Sequence, residues 1–239
     1  MDRATNFLEF DVGYSRPPLF ASARYEPVHI QPFPDQAPVV SAFQVKRDLG
    51  ADAHLAPKAI PVEAWIRIGN GTGSALGNDN PLPAGYGSVD LVLGRPWVGA
   101  KGDRTFGLRL GVGGLVEEVR DRDGVIGTTP LGFVYYRPIV VSGKRVVSEA
   151  HFVAYAGPVR VTLEGAYARE SRSKDTDGNP NTPRVDLPSM NSYGFTGEVA
   201  WVLRGEPREV GLAPQGPSET TPGERRGWNG GALELAQAL

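Results

Sequence analysis

Phe106-Gly107-Leu108-Arg109-Leu110-Gly111-Val112-Gly113 alternates without a break, with Phe106, Leu108, Leu110 and Val112 on one face and Gly107, Arg109, Gly111 and Gly113 on the other. Successive side chains of a strand point to opposite sides, so period 2 reads as a β-strand with one apolar face. The rhythm recurs. Val159, Val161, Leu163, Gly165 and Tyr167 oppose Arg160, Thr162, Glu164, Ala166 and Ala168, and Tyr193, Phe195, Val199, Trp201 and Leu203 oppose Thr196, Glu198 and Arg204. Upstream, Leu49, Ala51, Ala53 and Leu55 oppose Asp48, Gly50, Asp52 and His54, while Val62, Ala64, Ile66 and Ile68 oppose Glu63 and Arg67. Antiparallel strands are therefore expected near 46–56, 60–69, 86–94, 104–117, 145–155, 159–170, 192–204 and 231–238, with 7–14 as a ninth.

Between these strands lie turn-rich connectors of unequal length. Residues 57–60 and 156–158 are short, 95–103 somewhat longer, and 70–84, 118–144, 171–190 and 206–229 long. Short turns on one side and long loops on the other suit an up-and-down barrel, provided 130–141 is an excursion and not a strand. The stretch 206–229 is long where a short turn is due. We read residues 1–239 as one β-barrel domain.

Composition narrows the function. Of 239 residues 31 are Gly and 21 Pro, which marks a loop-rich chain, and 40% are hydrophobic, enough for a folded one. Zero Cys excludes disulfide frameworks and thiol chemistry. Net charge is only -2 with no long basic run, so a nucleic-acid partner is not expected. No helix-length apolar run is present, which excludes a transmembrane helix and leaves membrane strands open. Residues 1–6 lack the apolar core of a signal peptide.

Alternation alone also fits a soluble or periplasmic β-sandwich that binds a ligand. Three features favour lipid over water. The polar faces mix Gly, Ala and Thr with scattered Arg and Glu, as a crowded lumen does. Tyr155, Tyr167, Tyr193, Trp201 and Trp65 sit toward strand ends, where an interfacial girdle would place them. Strands of about ten residues exceed the usual five or six of soluble sheets.

The wording of several segments resembles the phosphate-selective porins of Gram-negative outer membranes, the porin O and P family. Arg47-Asp48-Leu49-Gly50 through His54, followed by Trp65-Ile66-Arg67-Ile68-Gly69-Asn70-Gly71-Thr72-Gly73, is similar to a strand pair of that family. So are Val12-Gly13-Tyr14-Ser15-Arg16-Pro17-Pro18-Leu19-Phe20 upstream and Ala154-Tyr155-Ala156-Gly157-Pro158 with Leu163-Glu164-Gly165-Ala166-Tyr167 downstream. The segments 197–206 and 231–236 complete a collinear set spanning about residues 10 to 236. The resemblance implies an outer-membrane location, lipid as a partner, a homotrimer and a water-filled barrel of sixteen strands passing small hydrophilic solutes or anions such as phosphate. Eight or nine strands are about half of that ring, so the chain is expected to be a partial barrel needing further strands.

Candidate site residues follow from strand parity. Arg67, Arg109, Arg160 and Arg204 are expected to line the pore, with Glu63, Glu164 and Glu198. Arg suits phosphate because its planar fork binds oxygens bidentately, but the same faces carry seven acids, adding Asp48, Asp52, Asp90 and Glu149, so the count does not favour anions. No catalytic residue, metal site or cofactor is expected: there is no G-x-S-x-G elbow, and His29, His54 and His151 are far apart. Glu117-Glu118 reads as a solvated strand end, Gly69 to Gly73 as a plain loop, and the acids of 121–123 and 175–177 as solvated loops. His54 and His151 are expected to line the lumen or meet water.

Overall fold

In a computed structural model of the chain, residues 8–25, 37–43, 47–57, 60–71, 82–94, 106–128, 133–136, 139–175, 183–204 and 233–238 are described. Their strands are β1 (Leu8–Ser15), β2 (Asp48–Leu55), β3 (Val62–Gly69), β4 (Ala84–Gly94), β5 (Phe106–Asp123), β6 (Gly127–Thr128), β7 (Val134–Tyr136), β8 (Val140–Ala156), β9 (Val159–Lys174), β10 (Val185–Arg204) and β11 (Leu233–Ala238). Two short helices, α1 (Ala21–Tyr25) and α2 (Pro38–Phe43), fall between β1 and β2. Nine strands form one sheet in the order β1-β2-β3-β4-β5-β8-β9-β10-β11, each antiparallel to its neighbours. The protein is all-β and up-and-down. Among the described residues β1 and β11 each pair on one side only, so the sheet is not closed.

All nine expected strands occur in this sheet, but the central ones run further than their alternation. β5, β8, β9 and β10 have 18, 17, 16 and 20 residues. Their extra turns lie in 118–144 and 171–190, which sequence reads as loops. In 118–123 and 169–174 charged residues occupy both faces, so the apolar contrast that reveals a strand vanishes. Within 130–141 the excursion is only partial: Val134–Tyr136 is a strand, paired with β6 in a two-stranded sheet of its own, and Val140 and Val141 already belong to β8 of the main sheet. Residues 206–229, and 72–81 of the loop 70–84, lie outside the described residues.

Local chemistry explains the irregular points. Ala156 pairs with Val159 across a two-residue turn in which Gly157 has φ +56°, a conformation glycine adopts without a Cβ penalty. The register of β10 on β9 shifts between Leu187 and Met190, where Pro188 has no N–H to give the ladder. A second shift, between Val119 and Arg122, puts Asp121 at φ +49°.

Burial inverts the usual order. Phe10, Val12, Ile66, Val112, Tyr193 and Phe195 are 60% or more exposed, while Asp48, Asp90, Arg67, Arg109 and Arg160 are 4% or less. One face of the sheet is thus apolar and open, the other charged and covered. The cover is a strap formed by residues 16–24 and α2. Leu19, Phe20, Ala23, Val39, Val40 and Phe43 pack on Ala84 and Tyr86 of β4, Leu115 of β5, Val147 of β8, and Ala166 and Ala168 of β9. α2 also abuts β10, where a Cβ on Gly194 would meet Val39 Cγ2 at 3.0 Å. The strap, held to β4 by Arg24 and to β10 by α2, lies against the inner side of a sheet that curls around it, as twisted strands do. The strap was not legible in the sequence, where its helices are too short to show a stripe. Phe20 holds φ +59° with no exposed surface, a strained backbone kept in place by the packing around it. Truncating Phe20 to Ala is expected to cost about 3 to 5 kcal/mol of stability, read as a lower urea midpoint.

Candidate functional site

Strand register sets the inward side chains in rows that cross the sheet. Glu63, Asp90, Gly111, His151, Glu164 and Thr196 are lateral neighbours on β3, β4, β5, β8, β9 and β10. Gly111 is the gap in that row: a Cβ there would collide with Asp90 Oδ1 and His151 Nε2. Without it, His151 Nε2 lies 3.0 Å from the Asp90 carboxylate across an intervening strand. In the next row Gly113 does the same for Glu149, whose carboxylate is 3.1 Å from His151 Nδ1. The inward glycines of β5 are slots: Gly111 lets charges on β4 and β8 meet, and Gly113 leaves room for the Glu149 carboxylate.

The arginines of the central rows are held by carboxylates. Arg109 reaches Asp90 at 2.7 Å and Glu63 at 3.2 Å. Arg24, from α1, donates to Ser88 at 2.9 Å and pairs with Asp90 at 3.0 Å. Arg67 binds Asp48, Asp52 at 2.5 Å and the Ser15 hydroxyl at 2.6 Å. The second oxygen of Asp48 accepts from the Gly71 N–H at 3.0 Å and the Tyr86 hydroxyl at 3.1 Å. Arg145 lies 3.2 Å from both Glu117 and Glu170, and Arg160 pairs with Glu198. Glu164 takes the Ser22 N–H at 2.9 Å and its hydroxyl at 2.6 Å. The strap is therefore tied to both β4 and β9 by polar contacts as well as apolar ones.

Of the residues singled out by parity, Arg67, Arg109, Arg160, Glu63 and Glu164 are buried on this inner face and Glu198 is half-buried there. The side chain of Arg204 lies outside the described residues. Asp48, Asp90, Glu149, His54 and His151 are buried with them. Three expectations change. Glu117 is 3% exposed and faces Arg145, because β5 continues past it and keeps it on the inner face. Asp121 and Asp123 likewise belong to β5, and Asp121 pairs with Arg184. Trp65 and Tyr155 point inward and not to an outer girdle: Trp65 stacks on His54 at 3.8 Å, and Tyr155 packs with Ala21 and Val153. Both share the parity of buried charges, a signal that position near a strand end obscured. Arg24 lies outside the strands expected from sequence, and Arg145 and Glu170 stand at the ends of two expected strands without being singled out. Asp177 lies outside the described residues.

Beside this network a cavity of about 790 Å³ opens between β1, the start of the strap and β3, lined by Tyr14, Arg16, Arg24, Arg47, Asp52 and Trp65 among others. Burial, then the charge of Arg47, lowers the proton affinity of Arg16, which as an arginine remains charged. Among the described residues no group of His, Asp or Glu is arranged to hold a metal ion.

No family model matches this chain, and comparisons with curated proteins and with solved structures find no similar one. The site's chemistry rests on its own geometry. Replacing Asp90 by Ala leaves Arg24, Arg109 and His151 without their shared carboxylate, and should cost about 3 to 5 kcal/mol in chemical denaturation. Asp121→Ala, which breaks a solvent-exposed pair, should leave the midpoint nearly unchanged.

Proposed function

We propose that this protein is an outer-membrane β-barrel channel, or a large part of one, through which small hydrophilic solutes pass. The single observation that carries this reading is the inverted sheet. From β1 to β10 large apolar side chains stand outward and exposed, while the charged side chains of the central rows are covered. The largest apolar patch of a soluble monomer is about 300 to 600 Å², whereas here exposed apolar side chains run in a band from β1 to β10. In a bilayer the same band is the favourable face. Among the described residues no helix is long and apolar enough to cross a membrane, so strands would do the crossing.

The inner face supports a polar passage narrowed by the strap. Its arginines are paired, so the lining offers a mixed field in which width outweighs charge as the sieve. Resemblance to the porin O and P family supports the same class, and with it a homotrimer; selection of phosphate would need free inner arginines, and those of the central rows are engaged by carboxylates. No enzymatic activity is proposed. The ligand-binding β-sandwich is the poorer reading, because its second sheet would have to cover the apolar face.

Two experiments test the channel. In lipid vesicles, Val112→Arg should lower folding stability by about 2 to 4 kcal/mol if that position is near the bilayer midplane, measured by urea titration with heat-modifiable gel migration. A chain that stays monodisperse without detergent and tolerates that substitution would contradict the proposal. In planar bilayers the chain alone should give irregular conductance, because each open strand edge leaves unpaired N–H and C=O groups in lipid. Uniform steps from single copies would show that it closes by itself.

A further inference from the structure

The arginines of the inner face and of the cavity beside it divide into two kinds. Arg24, Arg67, Arg109, Arg145 and Arg160 each have a carboxylate. Arg16 and Arg47 differ: among the described residues neither is joined to an acid, and both line the same cavity. Two like charges facing one half-enclosed space repel each other, and an anion between them relieves that while taking charge-assisted hydrogen bonds from two guanidinium forks. The remainder of the wall is mixed: Pro17, Pro18, Ala23 and Trp65 are apolar, Arg24 and Asp52 are already paired with Asp90 and Arg67, and Asp11 and Ser15 complete the polar part. The indole N–H of Trp65 is buried without an acceptor, a further donor in the lining. At about 790 Å³ the space lies in the range of pockets for drug-sized molecules, about 300 to 1,000 Å³, far larger than a bare oxyanion needs.

We propose that this cavity binds an organic carboxylate, its charged end held by Arg16 and Arg47 and its apolar body against Pro17, Pro18, Ala23 and Trp65. The site discriminates by requiring both parts. An inorganic anion lacks the body, and a neutral isostere lacks the charge. The inference concerns binding to the folded chain and stands apart from the question of which solvent meets the outer face.

The test is calorimetric titration of the full chain in detergent with benzoate, benzyl alcohol and inorganic phosphate, each corrected for its heat in empty micelles. Benzoate should bind saturably at one site, with benzyl alcohol and phosphate each about tenfold or more weaker. Arg16→Gln combined with Arg47→Gln should weaken benzoate by about tenfold or more and leave benzyl alcohol unchanged, which a general loss of structure would not do. Arg184→Gln, on a distant surface pair, should bind benzoate as the unaltered chain does. Equal binding of benzoate and benzyl alcohol, phosphate as tight as benzoate, or no saturable benzoate binding would overturn the proposal. Insertion is not read by this titration, so failure here and failure of the channel reading are separate results.

Discussion

The carboxylate of Asp90 receives Arg24 from the strap, Arg109 from the next strand and His151 from the strand beyond. A charge taken out of water costs several kcal/mol unless it is paired and hydrogen-bonded, so a sheet that buries many charges must bring their partners to them. Here the means is the absence of a side chain. Gly111 lies in register between Asp90 and His151, and any Cβ at that point would occupy the space where the two meet. Gly50 and Gly69 stand in the same relation to Arg67 and Asp48. Inward glycines, which in an ordinary strand weaken it, are here what lets the charged face neutralise itself.

From that constraint the strap follows. A curled sheet with a charged inner belt still has an apolar end, formed by Ala84, Tyr86, Leu115, Val147, Ala166 and Ala168. Residues 16–24 and α2 cover that end and place Ser22 and Arg24 against Glu164 and Asp90 in the belt. Its position is thus fixed twice, by an apolar cluster above and polar ties below. The conformation of Phe20, costly for a bulky residue in isolation, is tolerated because both anchors over-determine it.

Much of this was legible from residues alone, and the reason is periodicity. Wherever apolar and polar residues alternate cleanly, as from Phe106 to Gly113 or Val159 to Ala168, strand, pairing and facing all follow. The reading weakens where that contrast fails. The outer stretches of β5 and β9 carry charge on both sides, so their length is visible only in the ladder. Glu117 reads as a solvated end until that extension places Arg145 opposite it. Trp65 and Tyr155 share the parity of Arg67, Glu63 and Arg160, and parity, not position near a strand end, decides their facing. The strap depends on contacts between residues far apart in sequence, Ser22 with Glu164 among them, which no local pattern encodes.

The central claim is that the apolar face of this sheet meets lipid. The chain has no cysteine, so single cysteines carrying a nitroxide can be placed from 192 to 203 on β10 without background. In vesicles, collision with apolar oxygen and with a water-soluble nickel chelate reports the surroundings of each label. The account predicts oxygen-dominated collisions at 193, 195, 199, 201 and 203, and their loss at the even positions between. Nickel-dominated collisions at those odd positions would show that the face stands in water and would contradict it.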